Sequence, residues 1–284
     1  KLKEELKRRG VPFRGAGVWG KRRKNVRVWG PSALASCFSV LKSAAEEVCC
    51  CAMSSPELKT DASSVIVIMS ARRSFVTESF FALSPKEAGQ ACGDSISTFE
   101  NKEDFFYALI SDGMGSGAKA ADASSVCGIF LKKMLTAGNK RDAALNMLNA
   151  AFSAGGDDVC ATVDLFELDL LSGKASFVKS GAAPSYVRRG GKLFRIQSKT
   201  MPVGVVRALE AEQVAFNTVD GDIIIMLSDG IAQSYGDISW LTRLLSAGWE
   251  DNLRAMSKKI LDAAKRNCEK SDDMSVLLVR INEE

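Results

Sequence analysis

Histidine is absent from this 284-residue chain. Its absence excludes a Ser-His-Asp triad, a Cys-His pair, a histidine-ligated zinc site and a phosphohistidine relay. Any acid–base or metal chemistry must therefore come from carboxylates, thiols, lysine, tyrosine or bound water.

The sequence also lacks Cys-x-x-Cys pairs and long apolar runs. No two of the eight cysteines have that spacing, which argues against a zinc ribbon or a thioredoxin-type site. We interpret the cysteines as small buried hydrophobic residues in a reducing compartment. The longest aliphatic runs cover residues 65–69 and 223–227. Both fall well short of the roughly 18 residues that cross a bilayer.

Positive charge is concentrated at the start of the chain. Lys and Arg number 38 against 34 Asp and Glu, and residues 1–30 hold eleven of the former against two of the latter. This distribution does not resemble a nucleic-acid-binding domain. We expect a solvated basic surface, with contact to a membrane surface as the alternative. Because no signal peptide is visible and the chain begins at Lys1, we expect a cytosolic part of a longer protein.

The apolar pattern predicts two domains. Residues 1–70 are expected to form a small α/β unit, and residues 71–284 a larger α+β domain. In the second domain, hairpin-linked strands alternate with two helical hairpins. The simplest arrangement is a four-layer αββα sandwich of two mostly antiparallel sheets with helices on both outer faces. Its strands are predicted at 73–82, 88–94, 104–111, 160–170, 174–180, 185–189, 192–197, 213–219, 222–228 and 274–281.

Each predicted helix of this domain has one apolar stripe to bury. The first stripe contains Val126, Ile129, Phe130 and Met134. The second contains Ala144, Met147, Leu148, Ala151 and Phe152. A later helical pair over residues 236–267 buries Leu253, Met256, Ile260, Leu261 and Ala264.

Acidic residues recur at predicted strand termini. An apolar run ending in Ser-Asp-Gly occurs twice and places Asp112 and Asp229 at strand ends. Asp272 and Asp273 directly precede the last strand, and Asp94 is expected to end an early one. Carboxylates at strand termini can meet at one edge of a sandwich, so the spacing predicts an acidic cluster there.

Such a cluster is self-repelling unless a cation compensates it. Oxygen ligands without histidine favour Mg²⁺ or Mn²⁺. Two ions sharing one aspartate could hold a hydroxide for in-line attack on phosphorus. The alternative is that Asp-Gly merely forms turns, which we keep for Asp220-Gly221 between the strands at 213–219 and 222–228.

The glycine-rich residues 113–119 allow other interpretations, which fail on detail. A P-loop requires Gly-Lys followed by Ser or Thr, whereas Lys119 lies between two alanines. A histidine-kinase-type ATP site would need Asp-x-Gly-x-Gly, and Met114 breaks that register. A flexible loop before a helix, able to help hold an anion, is the structural alternative.

Together these motifs resemble the bacterial metal-dependent protein phosphatases of the 2C type, and most closely their stage II sporulation branch. The likeness covers residues 72–281 and is specific only when its motifs are combined. They are Gly93-Asp94-Ser95, Ser-Asp-Gly-Met-Gly-Ser-Gly at 111–117, Gly-Ala-Ala-Pro-Ser-Tyr at 181–186, Met-Pro-Val-Gly at 201–204, Leu-Ser-Asp-Gly at 227–230 and Asp-Asp-Met-Ser-Val at 272–276.

The resemblance implies a serine phosphatase of αββα architecture that uses two Mn²⁺ or Mg²⁺ ions. Asp112 would bridge the ions, and the Gly113 carbonyl would bind one of them. Asp229 and Asp272 would be further ligands, and these two with Asp112 would form the catalytic set. Asp94 would complete the site directly or through water. Asp272 is preferred to its neighbour because the family motif is Asp followed by a variable Asn or Asp.

The chain departs from the eukaryotic members of this family. Those have a histidine at the position of Met114, so a water must assist the leaving group here or that step limits the rate. Their phosphate-binding arginine has no clear counterpart. Lys119 is a candidate, although solvation on a helix surface is the simpler interpretation.

The resemblance also implies a substrate and a setting. The substrate would be a phosphoserine anti-anti-sigma factor of the STAS type, whose dephosphorylation activates the forespore sigma factor F during sporulation. The full-length protein would be membrane-anchored with this part on the cytoplasmic side. Residues 1–70 would mediate regulation and self-association, and the helices after Gly117 would act as the switch. The alternatives are a phosphatase for another sigma-regulatory STAS protein and a non-catalytic pseudophosphatase that only binds.

Overall fold

The computed structural model describes residues 1–61, 64–87, 89, 91–114, 118–154, 159–207, 209, 211–232, 238–268 and 272–284. The chain divides into two compact units. The first contains Lys1–Ser74 with Glu284, and the second contains Phe75–Glu283.

The first unit packs helices on one antiparallel sheet. Its elements are α1 (Leu2–Arg8), β1 (Gly15–Trp19), β2 (Asn25–Gly30), a 3-10 helix (Ser32–Cys37), α2 (Phe38–Cys49), β3 (Glu57–Asp61) and β4 (Ser64–Ser70). The strand order is β1-β2-β4-β3. Leu6, Val26, Leu41 and Val67 are among its buried core residues.

The second unit begins with three strands followed by two helices. These are β5 (Phe75–Ser84), β6 (Asp94–Glu100), β7 (Phe105–Asp112), α3 (Ala118–Thr136) and α4 (Arg141–Ala154). The remaining elements are β8 (Val163–Asp169), β9 (Lys174–Ser180), β10 (Ser185–Arg189), β11 (Lys192–Ile196), β12 (Glu212–Asn217), β13 (Asp222–Leu227), α5 (Ser239–Ala247), α6 (Leu253–Asn267) and β14 (Met274–Glu283).

The described residues of this unit form two stacked antiparallel sheets, ordered β11-β10-β13-β14-β5 and β12-β9-β8-β7-β6. Apolar side chains between the sheets, such as Phe166, Phe177 and Leu277, form the central core. α3 and α4 cover one outer face, and α5 and α6 cover the other. The predicted α+β αββα sandwich is therefore confirmed.

Two strand predictions are wrong. Residues 91–93 are not in a strand, and Asp94 begins β6 instead of ending an earlier strand. The predicted strands 213–219 and 222–228 do not pair across Asp220-Gly221. Their counterparts β12 and β13 lie in different sheets, β12 beside β9 and β13 between β10 and β14. The turn at Asp220-Gly221 thus carries the chain from one sheet to the other.

The buried face of α3 also differs from the predicted stripe. Val126 and Ile129 are 52% and 53% exposed, whereas Ala120, Ala123 and Cys127 are buried. Small residues face the sheet because α3 approaches it closely: a Cβ added at Gly128 would lie 2.9 Å from the Ser95 hydroxyl. Phe130 and Met134 of the predicted stripe are partly buried against the core, so the prediction is correct for these two residues and wrong for Val126 and Ile129.

On α4, Ala144, Leu148 and Phe152 of the predicted stripe are buried, but Met147 and Ala151 are exposed. The stripe predicted for the last helix is confirmed, since all five of its residues are buried on α6. All eight cysteines are free thiols; Cys127 is buried, Cys50 is exposed, and the others are half-buried, so the expectation of buried cysteines was too broad. Within the described residues, the helices are all too short or too polar to cross a membrane.

Candidate metal centre

Four strand termini bring acidic residues to one end of the sandwich. Asp94, the first residue of β6, lies directly opposite Asp112, the last residue of β7. In the other sheet, Asp229 follows the end of β13 by two residues and Asp272 precedes β14 by two. Because β13 and β14 are antiparallel neighbours, these two termini meet at the same end.

The acidic residues are close enough to perturb one another. Burial raises the pKa of Asp112 to about 8, and the carboxylates of Asp94, Asp229 and the pair at 272–273 raise it too. Burial, with nearby Asp229 and Asp273, raises the pKa of Asp94 to about 7. The pKa of the surface residue Asp229 is also raised, because protein atoms crowd its carboxyl and Asp272 is nearby. The carboxyls at this end of the sandwich therefore disfavour one another's ionised forms.

The Gly113 backbone lies tightly between neighbouring segments. Its amide donates to the Gly93 carbonyl at 3.4 Å, and it forms a single bridge with Ala161. A Cβ at Gly113 would fall 1.9 Å from the Ala120 carbonyl oxygen in the first turn of α3. Only glycine therefore allows α3 to start this close to the end of β7.

Thr162 holds the backbone of Asp112 in place, a role that the sequence did not signal. The Asp112 amide donates to Thr162 Oγ1 at 2.9 Å. The Thr162 amide in turn donates to the Asp112 carbonyl at 2.7 Å. The hydroxyl of the preceding Ser111 donates to the Thr162 carbonyl at 2.8 Å. Three hydrogen bonds to one threonine fix the end of β7.

Asp272 and Asp273 have different surroundings. Asp273 accepts the backbone amides of Lys86 and Gly93, each at 2.6 Å, through its two carboxylate oxygens. It ties the start of β14 to the segment before Asp94. Asp272 lies exposed, and among the residues that the structure describes its Oδ1 accepts only the adjacent Asp273 amide, at 2.9 Å. Asp272 is therefore the freer of the two to bind a ligand.

The other quoted motifs flank this end of the sandwich. The Ser180 hydroxyl donates to the Met201 carbonyl at 2.7 Å. Ala161 bridges both Gly113 and Val203, so the residues 201–204 segment continues the backbone network from the acidic end. Gly181 has a φ of +66° and packs against Pro202, where a Cβ would come within 2.5 Å of the ring.

Some predicted features are not brought into the site. Lys119 is exposed on the first turn of α3. Gly115, Ser116 and Gly117 lie outside the described residues. Across the described ranges, no three acidic or cysteine side chains are already gathered into a group that could hold a metal ion.

A small cavity lies just beneath the acidic cluster. Its volume is about 20 Å³, and its lining includes Asp112, Thr162, Asp164, Ser228 and Asp229. Asp164, buried on β8, forms an ion pair with Lys179 of β9 at 2.7 Å. A buried charged pair at this position had no clear sequence signal, because β8 and β9 each contain further charged residues, such as Glu167 and Lys174.

The donor chemistry of this end fits divalent cations. Asp94 Oδ2 is buried and has no hydrogen-bond partner among the described residues. Carboxylates and backbone carbonyls are the ligands that Mg²⁺ and Mn²⁺ prefer. A cation would relieve the repulsion that raises the pKa of Asp94 and Asp112. The exposed carboxylates of Asp229 and Asp272 at the same end would be further ligands.

Residues 102–282, nearly two thirds of the chain, match the stage II sporulation protein E (SpoIIE) family. Stage II sporulation protein E of Bacillus subtilis (strain 168) is 29% identical over 223 residues, which cover 76% of this chain. The match covers 27% of that relative, so the chain spans about a quarter of its length.

Two solved structures share the fold. One is the PP2C phosphatase domain with a fragment of the regulatory domain of SpoIIE from Bacillus subtilis, with a TM-score of 0.77 and 23% identity. The match covers 100% of this chain and 88% of that one. The other is RsbX in complex with magnesium, with a TM-score of 0.58, 14% identity, and coverage of 80% of this chain and 100% of that one.

Proposed function

The chain belongs to the stage II sporulation protein E family, and from this premise we propose that it is a metal-dependent protein serine phosphatase. The observation that carries the proposal is the convergence of Asp94, Asp112, Asp229 and Asp272 at one end of the sandwich, where their charges interact. A solely structural role would not require this repulsion, which raises the pKa values of buried carboxyls.

Two Mn²⁺ or Mg²⁺ ions are the proposed cofactors. Asp112 would bridge them, the Gly113 carbonyl, Asp229 and Asp272 would complete the ligand set, and Asp94 would act directly or through water. The magnesium bound by RsbX, a protein of the same fold, supports this choice of metal. When bound, the ions would supply charge neutralisation and an activated water at neutral pH.

The chain's own residues position this chemistry. The hydrogen bonds from Ser111 and Asp112 to Thr162 fix the backbone that carries the Asp112 carboxylate at the end of β7. Asp273 holds the segment that precedes Asp94 by accepting the backbone amides of Lys86 and Gly93. A phosphoserine would approach from the solvent side, where Asp229 and Asp272 are exposed. With no histidine in the chain, the leaving serine oxygen would receive its proton from water.

The proposed substrate is the phosphoserine of an anti-anti-sigma STAS protein, whose dephosphorylation would activate sigma factor F. Support comes from the family match and from the name of the Bacillus subtilis relative. A location on the cytoplasmic side of a membrane in a longer protein belongs to the same proposal. So does self-association through residues 1–70.

The proposed switch is the α3–α4 pair. α3 begins against Gly113, where the Ala120 carbonyl leaves no room for a side chain, so a shift of α3 would move the metal-binding end of β7. Deletion of residues 1–70 tests the regulatory part of the proposal. An unchanged metal dependence and rate after this deletion would count against it.

The test of function is phosphate release from a phosphoserine STAS protein, with and without Mn²⁺. We expect Mn²⁺-dependent release that Asp112→Asn abolishes. Asp220→Asn is the matched control, because Asp220 lies before β13, at the opposite end from Asp229, and accepts the Glu283 amide there. Binding of the phosphoprotein without release at saturating Mn²⁺ would favour the pseudophosphatase. Release from a different STAS phosphoprotein only would favour the other sigma-regulatory pathway.

A further inference from the structure

Lys179 and Asp164 form a charged pair inside the sandwich. They lie directly opposite each other on β9 and β8, with 1% and 2% of their side chains exposed. Lys179 Nζ lies 2.7 Å from Asp164 Oδ2 and donates to Ser185 Oγ at 3.0 Å. Ser185 donates in turn to Asp164 Oδ2. Because Ser185 is on β10, the triad connects the two sheets.

Burying such a pair is costly and adds little stability. Removing both charges from water offsets most of their attraction, and apolar replacements are often as stable or more stable. The triad therefore needs an explanation other than core packing. Its position offers one: Asp164 pairs with Ile110 on β7, two residues before Asp112. Alternate strand residues share a face, so Asp112 and Ile110 are on the same side of the sheet.

One atom of the triad is left without a partner. Oδ2 of Asp164 is taken by Lys179 and Ser185, but Oδ1 is buried and makes no hydrogen bond to any residue that the structure describes. Asp164 lines the cavity of about 20 Å³ together with Asp112, Ser228 and Asp229. That volume accommodates one water, which needs two to four polar partners. The cavity lining supplies them.

We infer that Asp164 is a positioning residue for the proposed metal centre, paired with Lys179 and acting on Asp112 through a water in this cavity. Asp164 Oδ1 accepts a hydrogen bond from the water, and the water reaches the carboxylates above it. The inference rests on the proposed metal-binding function. Asp164 and Lys179 would lie behind the metal ligands and hold them in place. Residues in such positions govern ligand orientation and metal affinity.

The test is a Mn²⁺ titration of the whole chain by isothermal titration calorimetry. The variant is the double substitution Asp164→Asn with Lys179→Met, which leaves no unpaired charge in the core. We expect the Mn²⁺ dissociation constant to rise about 10- to 100-fold, the usual effect of losing such a residue. The Mn²⁺ concentration for half-maximal phosphate release should rise by a similar factor, with a smaller change in the rate at saturating Mn²⁺.

Arg189 and Asp222 provide the matched control. This pair is also charged. Asp222 is fully buried, and its Oδ2 lies 2.6 Å from the Arg189 guanidinium. The pair lies at the end of β10 and β13 that is far from the acidic cluster. Asp222→Asn with Arg189→Met should lower the melting temperature and leave Mn²⁺ affinity unchanged. Melting of each metal-free variant confirms that it is folded.

Three results would overturn the assignment. A folded Asp164–Lys179 double variant with unchanged Mn²⁺ affinity would remove the positioning role while leaving the metal centre intact. An equal loss of affinity in the Arg189–Asp222 control would reduce the effect to general destabilisation. Failure of the parent chain to bind Mn²⁺ would instead overturn the proposed function, and this assignment with it.

Discussion

Asp94 and Asp112 face each other across β6 and β7, one at the first residue of its strand and the other at the last. Directly opposite residues in an antiparallel pair have Cβ atoms about 5 Å apart, and like charges there are destabilising. The sandwich thus holds two partly buried carboxyls together in a way that favours either a proton or a cation between them.

This arrangement predicts an unusual pH dependence for the metal-free protein. The pKa values of Asp94 and Asp112 are raised from 3.8 to about 7 and about 8. Between these two sets of pKa values, the folded chain binds protons that the unfolded chain releases. This proton binding stabilises the folded state fully at low pH, and the stabilisation is lost as the pH rises through 7 to 8. Urea unfolding without metal should show stability falling between about pH 5 and pH 8.

The control for this prediction is the Asp94→Asn and Asp112→Asn double variant, in which the slope should flatten. Mn²⁺ should restore the stability of the parent chain at the alkaline end, because a ligand of the folded state stabilises it by mass action. A metal-free parent that becomes more stable from acid to neutral pH would contradict the account.

Gly113→Ala should disrupt the start of α3. The added Cβ would lie 1.9 Å from the Ala120 carbonyl oxygen, and backbone on both sides cannot yield easily. We expect a loss of about 1–3 kcal/mol in unfolding free energy, typical of overpacking, and a loss of Mn²⁺ affinity. Gly17→Ala in β1 is the control, because its Cβ would meet nothing within 4 Å. Equal behaviour of the two variants would refute the packing argument.

Thr162→Val should leave the Asp112 amide without its 2.9 Å acceptor. Loss of a buried hydrogen-bond partner costs about 1–3 kcal/mol, measurable by chemical denaturation. The strand end that carries Asp112 should also become less ordered, lowering Mn²⁺ affinity. Thr162→Ser keeps the hydroxyl and should retain most of the stability and most of the Mn²⁺ affinity. If valine and serine behave alike, the hydrogen bond does not hold the site.

Asp272→Asn and Asp273→Asn should have opposite profiles. Asp273 accepts two backbone amides at 2.6 Å, so its substitution should lower stability by about 1–3 kcal/mol. Asp272 is exposed, so its substitution should hardly affect stability but should impair Mn²⁺ binding. Melting curves and Mn²⁺ titrations of both variants distinguish the roles. A stability loss confined to Asp272→Asn would reverse the assignment.

The strand ends that carry Asp112 and Asp229 were predictable because a long apolar run stops at Ser-Asp-Gly in both places. The start of β6 was not, because residues 95–100 alternate polar and apolar side chains weakly and Asp94 could equally end a strand. The placement of β12 and β13 in different sheets could not be predicted either. An Asp-Gly turn specifies a reversal of direction, while the sheet that each strand joins depends on distant partners.

Close packing and isolated polar residues limited the prediction further. The face of α3 that packs on the sheet consists of small residues such as Ala120 and Ala123, so hydrophobic periodicity favoured the exposed Val126 and Ile129. Thr162 directly precedes β8, and Asp164 and Lys179 are polar residues within β8 and β9. Only the three-dimensional structure shows that Thr162 bonds to the Asp112 backbone and that Asp164 lines the same cavity as Asp112.

The most direct test of the account is the number of Mn²⁺ ions bound per chain, measured by electron paramagnetic resonance of free Mn²⁺ during titration. The account predicts about two ions for the parent chain, as expected for a two-metal phosphatase, and loss of both in Asp112→Asn because that carboxylate would be a ligand of each. A parent chain that binds none, or an Asp112→Asn variant that keeps both, would contradict the account.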